Sequence, residues 1–307
     1  MTPELRHLRY LLAVAEHGSF TRAAEELHIS QPTLSQQVKQ LERAVGVQLL
    51  DRAGRTVRLT DAGEAYARHA RRALRDLAAA ERAVHDVADL SRGHLRLALT
   101  PTFTAYLLGP LLADFHLAHP GITVEVRELA QDRIEAALLA DDTDLGIAFH
   151  GEHLAGIAAT ALFTERLGLV VAAGAPRPVD PLPVSALGER PLALLSRDFA
   201  TRAHVDRHAA ALGVRPTIAV EANSVPALTE LVRRTGLATV LPEPIAAADP
   251  HLVPVPLDPP LPPRTVVLLH RAAGHRSAAA LAFAALAGEH ARTGGYAPPG
   301  EGPGSAG

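Results

Sequence analysis

Apolar residues recur through the first part of the chain in three runs of helical spacing, each ended by a turn-forming residue. Leu5, Leu8, Leu12 and Ala15 make one stripe that stops near Gly18. Ala23, Ala24 and Leu27 mark a second run, and Leu34, Val38 and Leu41, at i, i+4 and i+7, a third. His28-Ile29-Ser30 separates the last two. Ser30 is a good N-cap and Pro32 falls in the first turn, where its missing N–H costs little, so the third helix starts sharply. Two helices across a three-residue turn, with another helix to close the core, predict a helix-turn-helix unit. The free side of the third helix carries Gln31, Thr33, Ser35, Gln36 and Lys39. Amides and hydroxyls can donate and accept at base edges, although an ordinary solvated helix is polar in the same way.

After Gly46 the stretch VQLLDRAGRTVRLT reads as two apolar runs around a glycine turn, a β-hairpin with Arg52, Arg55 and Arg58 on and beside the turn. A basic hairpin next to such a helix is a wing placed to hold phosphates while the helix reads bases. The expected DNA contacts are therefore Ser30, Gln31, Pro32, Thr33, Ser35, Gln36 and Lys39 on the helix with Arg52 and Arg55 on the wing. Residues 1–60 hold eight Lys and Arg against six Asp and Glu, so the charge is focused rather than abundant.

Thr60 can cap a further helix, in which Tyr66, Ala70, Ala73, Leu77, Ala80, Val84 and Val87 are spaced alternately four and three apart. That is a heptad seam with charged residues between, and a second copy of the chain is its simplest partner. The alternative is a helix laid on its own downstream domain.

Ser91-Arg92-Gly93 opens a different rhythm, in which short alternating runs such as HLRLALT and ITVEVREL exchange with helical runs as far as residue 292 or so. This predicts α/β structure with parallel strands. Pro-rich stretches at 176–183 and 254–263 suggest two lobes, with crossings near residues 164 and 264 and a ligand cleft between them. The closing stretch GGYAPPGEGPGSAG is rich in Gly and Pro, and residues 293–307 are expected to form a disordered tail. The domains expected are thus 1–60, a linker and dimerisation helix over 61–90, and 91–292.

The chain has 307 residues, enough for about two domains, and no cysteine, which excludes disulfides and thiolate sites. No charged segment leads into an apolar run at the start and no apolar stretch is long enough for a bilayer, which points to a cytoplasmic protein.

FTRAAEELHISQPTLSQQVKQLE, RAGRTVRLTDAGE, the long helix and the α/β remainder together resemble a LysR-type transcriptional regulator over residues 1 to about 290. The resemblance implies a winged helix-turn-helix with a long linker helix, followed by a two-lobed α/β effector domain like type 2 periplasmic solute-binding proteins. It also implies double-stranded operator DNA as a partner, a homodimer or homotetramer that bends DNA, a small-molecule effector in place of a cofactor, and RNA polymerase as a candidate partner. Within the family, LLAVAEHGSFTRAA, LRLALTPTFTAYLLGPLLADF, EANSVPALTELVRRT and TVLPEPIA are similar to regulators of cyanate detoxification, which implies cyanate as effector and activation as output. Another small anionic metabolite is the alternative.

Hydroxyls and amides fall where strand ends and helix starts would ring the cleft: Thr100, Thr102 and Thr104 after the first strand, Ser196 and Thr201 before one helix, Asn223 and Ser224 before another, with Phe149 ending LGIAFH. Helix N-termini offer unpaired N–H groups to an anion, although Ser, Thr and Asn are also the commonest caps. Arg197 and Arg202 could add charge. An enzyme is the competing class. His204 and His208 lie four apart on a predicted helix, but no acidic residue completes a metal motif, and neither a phosphate loop nor a G-x-S-x-G elbow occurs. An exported solute-binding protein would account for the lobes but not for the first ninety or so residues.

Overall fold

The computed structural model describes residues 3–54, 56–85, 90–176, 181–273 and 276–300. The chain divides into two compact units, Met1–Val84 and His85–Gly307.

The first unit contains α1 (Leu5–His17), α2 (Phe20–Glu26), α3 (Gln31–Val45), the hairpin β1 (Leu50–Asp51) and β2 (Arg58–Leu59), and α4 (Asp61–His85), which runs on to the unit boundary. Its boundaries follow from local chemistry. Gly18 takes the left-handed conformation that ends α1, and the Ser19 hydroxyl accepts from the Arg22 amide at the start of α2. The Ser30 hydroxyl accepts from the Thr33 amide, and Pro32 sits in the first turn of α3. Leu34, Val38 and Leu41 meet Leu11, Val14, Ala23, Ala24, Leu49 and Leu50 in one core. At Gly63 a side chain would collide with the Leu49 carbonyl, its Cβ only 2.0 Å from the oxygen, so glycine lets α4 start against the wing.

Two sequence expectations change here. The inner stripe of α1 is His7, Leu11 and Val14, one position away from Leu8, Leu12 and Ala15, while Leu5 is exposed. A buried histidine occupies what reads as a polar position. The seam of α4 is also divided: Tyr66 packs on the helix-turn-helix core of its own chain and Ala70 is buried, whereas Ala73 is exposed and Leu77 half-buried. Among the described side chains of the stripe, Ala73 and Leu77 are thus the ones open to a partner. Ala80, Val84 and Val87 lie outside the described side chains.

The second unit runs β3 (Gly93–Leu99), a 3-10 turn (Pro101–Ala105), α5 (Leu108–Ala118), β4 (Ile122–Glu128), α6 (Gln131–Leu139), β5 (Leu145–Phe149), β6 (Ile157–Glu165) and β7 (Leu167–Ala172). It continues with β8 (Leu182–Pro183), α7 (Ala186–Glu189), β9 (Pro191–Leu195), α8 (Ala200–Ala211), β10 (Thr217–Ala222), α9 (Val225–Arg234), β11 (Thr239–Pro242) and α10 (Glu243–Ala247). The last elements are β12 (Leu252–Val255), β13 (Leu257–Asp258), β14 (Arg264–Arg271) and α11 (Ala278–Thr293).

One lobe is built on a five-stranded sheet of order β4-β3-β5-β14-β6. Its first three strands are parallel, but β14 lies antiparallel to both β5 and β6. The other lobe holds the parallel pair β9-β10 and the antiparallel trio β11-β7-β12. The sheets are mixed rather than parallel, because the chain leaves one lobe through β6 into β7 and returns through β14. These two strands lie side by side, with Arg264 opposite Glu165. The tail expectation is corrected as far as Gly300. The Tyr296 ring stacks on Phe163 at 4.2 Å, Ala297 pairs with Thr164, and the Thr164 hydroxyl donates to the Pro298 carbonyl. One aromatic anchor and backbone pairing hold a segment whose composition reads as disordered. Residues 301–307 lie outside the described residues.

Candidate functional site

In the first unit, α3 exposes Gln31, Pro32, Thr33, Gln36 and Lys39 together, with Ser35 half-buried beside them. Ser30 is spent on structure: its hydroxyl caps α3 and lies 2.7 Å from the Thr33 hydroxyl. Arg52 is committed as well. It donates to Glu42 at 2.8 Å and covers the Phe20 ring at 5.2 Å, so it fastens the wing rather than standing free for phosphate. Arg55 lies outside the described residues.

The fastening runs through Glu42, which sequence reasoning did not single out. One carboxylate oxygen accepts from the Leu49 and Leu50 amides at 3.0 and 3.1 Å, the other from Arg52. Its acidic charge at the end of a base-reading helix was the available signal, since an acid there repels phosphate unless it is engaged elsewhere. Lys39 and Arg43, neither in an ion pair among the described residues, line a shallow depression of about 380 Å³ between α3 and the wing. The surface thus offers neutral donors and acceptors on the helix with cations behind them, which suits a duplex.

In the second unit the expected effector residues separate into two sets. Thr100, Thr102 and Thr201 are buried. Thr100 follows β3; its amide donates to the Ile147 carbonyl, and its hydroxyl is buried without a partner. Phe149, at the end of β5, lies tilted against Phe103 with ring centroids 5.0 Å apart and is covered by the Arg264 guanidinium 3.7 Å above its ring. Arg264 donates to Glu165 at 2.7 Å and to the Thr201 hydroxyl at 2.8 Å. The Tyr106 hydroxyl donates to the other oxygen of Glu165 at 2.5 Å. Burial, and then the Glu165 carboxylate, hold that phenol well above its ordinary range.

Arg264 thereby joins the crossing strands, the end of β5 and the start of α8. Neither it nor Glu165 is legible as a site residue, because they lie far apart in sequence and only the antiparallel crossing brings them opposite. Ser196, just past β9, also has a buried hydroxyl without a partner. The other set does not join this cluster through any described hydrogen bond. Thr104 donates to the Pro101 carbonyl, Ser224 caps α9 by accepting from the Ala227 amide, and Asn223 is exposed. Arg202 is buried but fully engaged by Asp206, Glu221 and the Leu195 carbonyl, and Arg197 is exposed. Arg202 is thus not left as a free cation for a ligand, whereas Arg197 lies on the surface.

Comparison with known proteins matches both units. Residues 5–64 fit the family model of the bacterial regulatory helix-turn-helix protein, lysR family, and residues 88–292 fit that of the LysR substrate binding domain. The nitrogen assimilation regulatory protein nac of Klebsiella aerogenes is 36% identical over 242 residues, 78% of each chain. The regulator AlsR of Bacillus subtilis is 40% identical over 144 residues, 47% of this chain and 48% of its own. Among solved structures, full-length CbnR complexed with its target DNA matches with a TM-score of 0.68 and 25% identity, covering 94% of this chain and 99% of that one. A full-length OxyR variant from Pseudomonas aeruginosa matches in fold, with a TM-score of 0.68 at 24% identity, covering 95% and 96%. These relatives are regulators and not enzymes, and they lend no support to the narrower likeness to regulators of cyanate detoxification. No described helix is long and apolar enough to cross a membrane. With both family models matched in order along the chain, the protein belongs to the LysR family of DNA-binding transcriptional regulators.

Proposed function

We propose that the second unit senses a small anion, with cyanate as the first ligand to test, and that the regulator activates genes that dispose of it. The observation that carries this reading is a pair of buried hydroxyls without partners, Thr100 Oγ and Ser196 Oγ. They lie just past the C-terminal ends of parallel strands, one in each lobe, where open α/β sheets bind ligands. A buried donor left unpaired costs about 1–3 kcal/mol, which a ligand accepting from it would recover. Arg264 lies in the same region but is balanced by Glu165, so a ligand there would meet a neutral group of donors rather than a strong positive field. Such a group suits one negative charge spread over few atoms.

Three heavy atoms at a ceiling of about 1.5 kcal/mol each limit the dissociation constant to roughly half a millimolar or weaker. Regulation at that affinity needs several protomers acting together. A homodimer or homotetramer assembled through the α4 stripe beyond Ala70, working with RNA polymerase, is the form of the regulator that we propose. Calorimetric titration with cyanate, azide and benzoate tests the ligand class. Heat of binding from cyanate and azide, lost in Thr100→Val, supports it; binding of benzoate with no response to either small anion overturns it.

A further inference from the structure

His7 lies in the first turn of α1 and is only 1% exposed. Both of its ring nitrogens are engaged. Nδ1 is 3.0 Å from the Glu4 backbone nitrogen, and Nε2 is 2.9 Å from Oε1 of Gln37 on α3. A backbone N–H can only donate, so Nδ1 must be the unprotonated, accepting nitrogen. In the neutral ring the proton is then on Nε2, which donates. Only the oxygen of the Gln37 amide can receive that bond, so the NH₂ end of the amide is turned away from His7. A side-chain amide ordinarily turns either end outward; this one is fixed by a chain of bonds that begins at a main-chain N–H.

Gln37 follows Gln36 and lies one turn beyond Thr33, on the border between the core and the exposed face of α3. Its NH₂ group has no partner among the described residues. We propose that Gln37 is a DNA-contacting residue that presents donors only, and that His7 is the positioning residue that sets this polarity. The complementary group on the duplex is an acceptor: a purine N7, a guanine O6 or a thymine O4 in the major groove, or a phosphate oxygen. Gln31 and Gln36, which are not held in this way, can meet donors and acceptors alike. Gln37 cannot, and so discriminates against the exposed amino group of cytosine.

The test is selection from a random-sequence duplex library by the full-length protein, followed by affinity measurements over a range of salt concentrations. Gln37→Glu keeps an oxygen for His7 but turns a second acceptor toward the DNA. If the contact is a base edge, the selected sequence changes at one base pair of each half-site toward cytosine. If it is a phosphate, the acceptor turned against it lowers affinity about tenfold on all sequences, and the uncharged Gln37→Met, which also lacks the donor, lowers affinity on all sequences while leaving the salt slope unchanged. Either result supports the contact, and a Gln37→Glu protein that selects the wild-type sequence with affinity within twofold overturns it.

His7→Phe frees the amide, so the preference at the same position should broaden. His7→Gln, whose own amide can accept from Glu4 and donate to Gln37, should restore it. Circular dichroism verifies that α1–α3 remain folded, and if His7→Phe fails to fold, His7→Asn, which is too short to reach Gln37, takes its place. An unchanged selected sequence in a folded variant lacking the bond removes His7 from the account.

Discussion

Replacing Glu42 by alanine isolates what holds the wing to the reading helix. The carboxylate is 11% exposed and accepts from two backbone amides, those of Leu49 and Leu50, whose residues are 0% and 2% exposed. A hydrogen bond to a charged acceptor contributes about 1.5–3 kcal/mol. Water admitted by the missing side chain favours the lower end of that range, so the two bonds together are worth about 3 kcal/mol. The Arg52 partner, 31% exposed, adds about 0.5 kcal/mol or less. For a unit of this size that loss corresponds to a fall of roughly 12–28 °C in melting temperature. Hydrogen exchange on the full-length protein, read separately for peptides from the two units, assigns the effect to the first unit and within it to Leu49 and Leu50. Glu42→Gln retains an oxygen for the amides and should lose only about 1 kcal/mol. A Glu42→Ala protein within about 0.5 kcal/mol of the parent, or one whose exchange rises only in the second unit, would refute the clamp.

Other perturbations reach different parts of the molecule. Leu77→Glu places a charge at a half-buried position of the α4 stripe and should dissociate the proposed dimer; sedimentation equilibrium decides, and an unshifted mass would mean that the stripe is covered within one chain. Arg264→Met leaves Glu165, with a fully buried side chain, without its cation and should cost about 3–5 kcal/mol in urea unfolding of the second unit, whereas the same change at the exposed Arg197 should cost less than about 0.5 kcal/mol. Tyr106 has a raised folded-state pKa, so the unfolded chain ionises first: its contribution to stability is fully present below pH 10 or so and is lost as pH rises toward the folded value. Urea midpoints between about pH 9 and 11 should therefore fall less steeply in Tyr106→Phe, and parallel curves would remove Tyr106 from the alkaline transition.

What the sequence displays and what it conceals divide along physical lines. The helix-turn-helix is legible because its boundaries are local: Ser30, Pro32 and Gly46 act on the turn in which they sit. The α1 stripe reads one position out because His7 counts as polar, and only Gln37 and the Glu4 amide make its burial affordable. The strand Ile157–Glu165 escapes notice because IAATALFTE neither alternates cleanly nor forms a continuous apolar block. Without it the antiparallel crossing is invisible, and with it the pairing of Arg264 with Glu165. Strand direction is set by connections rather than by the polarity of single residues, so alternating strands and helices suggest a parallel sheet where a mixed one forms. Thr100, Thr102, Phe149 and Thr201 follow from the expectation that ligands sit at strand ends and helix starts, and all four are buried. Ser224 and Thr104 were chosen by the same rule, and their hydroxyls are used in capping and in a local turn.

The central claim is that a small anion in the second unit alters how the first unit holds DNA. Its most direct test is a DNase footprint of the full-length regulator on a duplex taken from the library selection, recorded with increasing cyanate. The account predicts a changed footprint with a midpoint at or above roughly half a millimolar, reproduced by azide and absent in Thr100→Val, whose footprint without ligand matches the parent's. A footprint indifferent to both anions, or an equal response in Thr100→Val, would contradict it.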